Sequence, residues 1–267
     1  MHKKSFTYRY GDENIEYDIW FTDADGVLST IIFLGTIQIG KLPEWVAKAC
    51  PPGTAVVEGA PHWRGKNDGS DVRDFVYEFS ENALRNLVHT HELVNVKIFA
   101  DSQAAPFALK AALVSKYFRN IHSIVLIQPL GLNIHAYGSD DMWRLKMFKR
   151  RLMVNALSQL AYLPIDSRLV YNHYQLFGLI SSDQQKADAQ YAAGLAHDAL
   201  DDLEKAIARG YEVTVVCGSR DKLFSPKEIR QAISERKLPV SIKEVTGVPH
   251  SPLPTKQGLK LLREALK

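Results

Sequence analysis

The chain reads "IFADSQAAPFALKAAL" from Ile98 to Leu113, an apolar strand pattern that gives way to a helical one within a few residues. The first part is compact and apolar, as a strand buried on both faces must be. Beyond it, Phe107, Ala111, Val114 and Phe118 recur at helical spacing. Ser102 stands at the junction, and the residues two before and two after it, Ala100 and Ala104, are both small. A serine in so tight a turn projects its Oγ beyond the sheet. A large side chain two residues away would collide with the crossing strand and helix. The helix start behind it presents N–H groups without intrahelical partners and the positive end of the helix dipole. Pro106 falls in the first helical turn, where a missing N–H does least harm.

Other stretches repeat the alternation. "STIIFLGT" (29–36), "TAVVEGA" (54–60), "NVKIFADS" (95–102), "HSIVLIQPLG" (122–131) and "YEVTVVCGS" (211–219) are compact runs rich in Val and Ile. Helical patterns follow several of them: "LPEWVAKA" (42–49) after the first, and residues 71–88 after the second. The latter carries Val72, Phe75, Val76, Phe79, Ala83 and Leu87 on one face. Strand–helix alternation of this kind predicts a mostly parallel sheet covered by helices on both sides. "SPKEIRQAISER" (225–236) reads as a helix with a capping box of Ser225 and Glu228 and Pro226 at its first position. "VSIKEVTG" (240–247) reads as a further strand and 256–266 as a closing helix.

Residues 133–195 break the pattern, with no strand and several helices expected. The first, "DDMWRLKMFKRRLMVNALSQLAYL" (140–163), places Leu145, Phe148, Leu152, Ala156, Leu160 and Leu163 in one stripe. "SDD" (139–141) suits its N-cap. The expected organisation is a core in two parts, 1–132 and 196–267, with a helical insertion at 133–195 between them.

The N-terminal "SFTYRYGDENIEYDIWFTDADG" (5–26) alternates apolar and polar residues. Ile15, Tyr17 and Ile19 fall on one face, Glu16 and Asp18 on the other. That predicts a half-exposed antiparallel strand, with turns at Gly11 and at Asp25-Gly26. The Asp-x-Asp-Gly of 23–26 resembles the nucleophile loop of haloacid-dehalogenase-type phosphatases, which would imply a magnesium-dependent phosphotransferase. Such a loop follows a central strand buried on both faces, whereas this one is half exposed. Asp23 and Asp25 are therefore read as turn residues.

Together, these stretches resemble the α/β-hydrolase fold family, whose fold is a mostly parallel central sheet flanked by helices. Ala100-x-Ser102-x-Ala104 is a degenerate form of its G-x-S-x-G nucleophile elbow. The family places its acid after a late strand, commonly as G-x-x-D, and Gly218-Ser219-Arg220-Asp221 stands there. Its histidine follows the last strand, and "GVPHSPL" supplies His250. The chain order Ser102, Asp221, His250 is the family's. An oxyanion loop is expected after the first buried strand, where "FLGTIQIG" carries Leu34-Gly35-Thr36. The backbone N–H groups of Thr36 (or Ile37) and Gln103 are the donors so implied. The insertion at 133–195 sits where the family places its cap.

The departures are both elbow glycines, which are alanines here, Leu34 in place of a histidine, and Pro249 before His250 where glycine is common. What the resemblance implies is a capped serine hydrolase that acts on a carboxylic ester or related acyl substrate, with Ser102, His250 and Asp221 as catalytic residues. It implies no metal and no organic cofactor. Met142, Met147 and Phe148 are flexible or aromatic residues of the insertion suited to an acyl pocket. They serve equally well to pack it on the core. The departures also motivate an alternative, a ligand-binding or interaction protein on the same fold with a silent triad.

Composition excludes several other classes. The 267 residues carry 33 Lys and Arg against 30 Asp and Glu, and the resulting +3 is too small to argue for nucleic acid. Two cysteines, Cys50 and Cys217, cannot build a disulfide framework and are read as reduced. The basic start "MHKKSFTYRY" has no apolar run behind it, so neither a signal peptide nor a membrane span is expected. The expected partner is a small acyl molecule, the expected location the cytoplasm, and the oligomeric state stays open, a homodimer included. His89 and His91 lack a carboxylate or cysteine cluster at ligand spacing and are read as surface residues. The run Lys146, Lys149, Arg150 and Arg151 is read as a solvated helix face.

Overall fold

The computed structural model describes residues 2–23, 26–35, 46–57, 69–114, 120–138, 140–160, 191–196, 198–250 and 256–267. Among the described residues eight strands form one sheet: β1 (His2–Tyr10), β2 (Glu13–Phe21), β3 (Val27–Phe33), β4 (Thr54–Val57), β5 (Glu92–Asp101), β6 (Ile121–Ile127), β7 (Glu212–Gly218) and β8 (Ser241–Val245). Their order across the sheet is β1-β2-β4-β3-β5-β6-β7-β8. The β1–β2 and β2–β4 pairs are antiparallel, and every pair from β4 to β8 is parallel. The residue patterns account for this division. In β4 every residue is buried, and in β6 every residue but His122. In β2 only alternate residues, Tyr17, Ile19 and Phe21, are fully buried. A strand covered on both faces has no polar side to offer water, and that is what parallel strands require.

The hairpin expected at Gly11 is present, with the glycine at φ +57° and β1 paired to β2 along its length. The hairpin expected at Asp25-Gly26 is not. β4 lies between β2 and β3, so the chain crosses a strand there instead of turning back on its neighbour. Asp25 itself lies outside the described residues. Asp23 Oδ2 accepts from the Gly53 N–H at 2.7 Å, and the Gly26 carbonyl accepts from Glu92 N–H, both at the amino ends of the parallel strands.

Helices among the described residues include α1 (Gly69–Thr90), α2 (Ala104–Val114), α3 (Asp141–Leu160), α4 (Ala199–Ala208), α5 (Pro226–Glu235) and α6 (Lys256–Ala265). On one face of the sheet α2 packs between α1 and α4, and on the other α6 packs against β6, β7 and β8. The first core contains Phe75, Phe79, Phe107 and Leu203, and the second Phe99, Val216, Leu261 and Leu262. Phe148 and Leu152 of α3 join the first core, as does Leu195. Asp140 caps α3 by accepting from the Trp143 N–H at 2.9 Å.

Pro226 opens α5 as expected, but the capping box does not form. The Ser225 side chain makes no cap hydrogen bond, and Glu228 pairs with Arg151 at 2.6 and 2.9 Å instead. Arg151 is therefore half-buried in an ion pair rather than solvated. No helix among the described residues is long and apolar enough to cross a membrane.

Candidate functional site

Three parallel strands end at one edge of the sheet, and the site is built from the loops that follow them. The turn between β5 and α2 holds Ser102 at φ +50°, a left-handed conformation that costs an L-residue roughly 1–2 kcal/mol. The surroundings impose it. Ser102 N–H donates to the Ile127 carbonyl at 2.8 Å, and its own carbonyl accepts from Ala105 and Leu130 N–H at 3.2 and 3.0 Å. Ala100 is fully buried among the strands, which is why this position is small. Gly35, after β3, runs close beside the turn. A Cβ there would lie 3.4 Å from the Asp101 carbonyl and 3.8 Å from Gln103 N. The backbone following β3 thus borders the start of α2. Thr36 and Ile37 lie outside the described residues.

Asp221 lies in the loop after β7, with its side chain fully buried. Its Oδ1 accepts from Leu223 and Phe224 N–H, both at 2.8 Å, and its Oδ2 from His250 Nδ1 at 3.0 Å. A buried carboxylate is tolerable only with such partners. Gly218 permits the next loop to approach. A Cβ on it would sit 2.2 Å from the Val248 carbonyl oxygen, closer than real atoms come. The two loops are laced by Ser219 and Arg220 N–H groups on the Val245 and Val248 carbonyls, and by the Ser219 hydroxyl, which accepts from Gly247 N–H.

His250 faces both partners. Nδ1 donates to the carboxylate, which leaves Nε2 as an acceptor 3.4 Å from Ser102 Oγ. That separation is at the long end for a hydrogen bond, as is common in sites awaiting substrate. The ring meets Phe224 edge-on at 5.0 Å. Ser102, His250 and Asp221 are therefore together in space although 148 and 29 residues apart in sequence.

The three insertion residues fare differently. Phe148 is buried and packs on Tyr137, Tyr191 and Phe224, behind the ring that touches His250. Met147 is half-buried against the same core. Met142 is 78% exposed and belongs with Trp143, Leu145 and Lys146 to an open depression of about 560 Å³. Thirteen residues of helix, about 20 Å, separate it from Asn155, which touches His250.

Two residues of the neighbourhood carried no sequence motif. Asn155 donates from Nδ2 to the His250 carbonyl at 3.2 Å, and Tyr137 donates its hydroxyl to the Leu223 carbonyl. The signal for Asn155 was a lone amide beside an otherwise apolar helical stripe.

Other reactive groups are placed elsewhere. Burial pushes the Cys50 thiol up to about 12, and raises Cys217 still further, so neither supplies a thiolate near neutral pH. His91 is half-buried, stacked on Phe21 at 4.5 Å with Thr90 Oγ1 2.8 Å from its Nδ1. Among the described residues no group of three or more His, Cys, Asp or Glu side chains could hold a metal ion.

Solved structures share this architecture over the full chain. A bromoperoxidase from Bacillus anthracis superposes with a TM-score of 0.61 at 15% identity, covering 98% of each chain. The thioesterase domain from the curacin biosynthetic pathway gives 0.60 at 12% identity over 100% of each. The chain has the α/β-hydrolase fold. An esterase from Thermogutta terrifontis adds a further α/β-hydrolase-fold likeness, 0.57 at 15% identity over 100% of both chains. No protein-family model and no curated protein matches the sequence.

Proposed function

We propose that the protein is a serine hydrolase that cleaves a carboxylic ester or related acyl substrate through a covalent acyl-enzyme. The observation that carries this is the contiguous chain from Ser102 Oγ to His250 Nε2 (3.4 Å) and from His250 Nδ1 to Asp221 Oδ2 (3.0 Å). Ser102 Oγ attacks the acyl carbonyl while His250 Nε2 takes its proton. Asp221 holds the ring in the tautomer that leaves Nε2 basic and stabilises the imidazolium once formed. The N–H groups of Gln103 and Thr36 receive the oxyanion, aided by the positive end of α2. His250 then protonates the departing alcohol, and the acyl group remains on Ser102. A water gives its proton to His250 and attacks the ester so formed. The acid leaves, and the serine regains its proton. No metal or organic cofactor enters, residues 133–195 form the cap, and the chemistry takes place in the cytoplasm.

The α/β-hydrolase-fold likenesses to an esterase and a thioesterase support the same substrate class. Fluorophosphonate labelling tests the reading. Wild type should be labelled, and Ser102→Ala and His250→Ala should not, with turnover reduced on the order of 10⁶-fold. A folded wild type that stays unlabelled would leave a ligand-binding protein with a silent triad as the better reading.

A further inference from the structure

Two buried polar side chains from the segment between β6 and α4 reach the loops that carry the acid and the base. Asn155 on α3, only 4% exposed, holds the His250 carbonyl. Tyr137, 1% exposed in the short turn Ile134–Tyr137, holds the Leu223 carbonyl. Leu223 is one of the two residues whose N–H groups clamp Asp221 Oδ1. One contact therefore restrains the peptide of the base and the other a peptide that grips the acid.

Arg151 links the two. It lies one helical turn before Asn155 on the same face of α3. Its guanidinium sits 4.6 Å over the Tyr137 ring and forms a fork with the two Glu228 oxygens of α5. Asn133 Nδ2 donates to the same carboxylate at 2.9 Å. A planar fork on a carboxylate resists rotation as well as separation, so α3 has little freedom to slide along α5. Phe148, two turns before Asn155, packs on Phe224, whose ring abuts His250.

We propose that Asn155 and Tyr137 are positioning residues which, held in register by Arg151, set the distance between His250 Nε2 and Ser102 Oγ. The inference rests on the reading of Ser102, His250 and Asp221 as a working triad. The physical reason is the location of His250. It sits in a loop after β8, so its ring is placed only as well as its own peptide is. Losing the Asn155 donor leaves a part-buried carbonyl without that bond, and the loop moves to find another. Proton transfer across a contact already 3.4 Å long is sensitive to such a shift. The segment expected to act as a cap would thus tune the triad directly.

The test uses the full chain, p-nitrophenyl acetate as substrate and a fluorophosphonate as labelling probe. Asn155→Leu removes the donor at similar volume. Tyr137→Phe removes only the hydroxyl and keeps the ring beneath Arg151, so it serves if the first variant does not fold. Each should lower kcat and the labelling rate, Asn155→Leu by roughly 10- to 100-fold, with KM within about threefold. The downfield proton resonance of His250 Nδ1–H should move in both variants. Wild-type kcat with an unmoved resonance, or a change confined to KM, overturns the inference. Ser102→Ala run in parallel separates the two readings. Activity that survives there sinks the triad and the inference with it. Activity lost there but intact in both positioning variants sinks the inference alone.

Discussion

Ser102 and Gly218 show how single positions carry the site. The serine holds a left-handed backbone that a glycine would adopt without cost, and three backbone hydrogen bonds keep it there. Strain of this sort persists only where the surroundings over-determine it. Gly218 has the opposite role, giving up a side chain so that the His250 loop can close on the Asp221 loop. Its replacement is a direct test of that closeness. In Gly218→Ala the new Cβ meets the Val248 carbonyl, a backbone atom that cannot rotate away. We expect a loss of about 1–3 kcal/mol in urea unfolding, together with slower fluorophosphonate labelling because the loop bearing His250 must retreat. Unchanged stability and labelling would mean that the two loops can separate without consequence. The glycine was legible as part of G-x-x-D, but its physical reason was not, because the atom it avoids lies 30 residues further along the chain.

Elements were legible where one covered face, or two, dictated the residue pattern, and less so where a distant partner intervened. β4 and β6 could be read because their side chains are buried on both faces of the sheet, His122 excepted. The Asp25-Gly26 turn misled because a hairpin signal is local, while the insertion of β4 between β2 and β3 is decided by residues 54–57. The Ser225–Glu228 box misled in the same way, since Arg151 outcompetes a local cap for the carboxylate. Another long-range contact joins β2 to the end of α1, where Phe21 lies between the rings of His2 and His91. Burial, and then the nearby Lys4 and His2, lower the His91 pKa below its ordinary 6.5. Above that ordinary value both states are neutral and the contribution to stability is fully present. As pH falls through 6.5 the unfolded chain takes up a proton that the folded chain resists, and stability declines until the folded pKa is passed. His91→Phe keeps the stack on Phe21 and removes the titration. Urea midpoints followed from about pH 7.5 down to about pH 5 should fall less steeply in the variant than in wild type. Parallel slopes would show that His91 takes no part in acid destabilisation.

Across the whole molecule, the described residues between β6 and α4 share the core that lies under the sheet's helices. The buried residues Tyr137, Phe148, Leu152, Ala193 and Leu195 belong to the same cluster as Phe107 of α2 and Val215 of β7. The sequence showed a break in strand–helix alternation and an apolar stripe, and those patterns mark an insertion. They do not show which way the stripe faces, because the opposing surface at Phe148 is assembled from the distant rings of Tyr137, Tyr191 and Phe224. That shared core makes a prediction about cooperativity. If α3 folded separately, truncating its central aromatic would melt it alone. If the core is shared, Phe148→Ala weakens everything, by about 3–5 kcal/mol for a buried phenylalanine. Urea unfolding can be followed by far-UV circular dichroism and by the fluorescence of Trp143 on α3, isolated by difference against Trp143→Phe. A single transition, shifted equally for both probes in Phe148→Ala, is the expected outcome. A Trp143 transition that shifts while the global one stays in place would establish a separately folding lid. The positions of Asn155 and Tyr137 would then no longer be tied to the stability of the sheet.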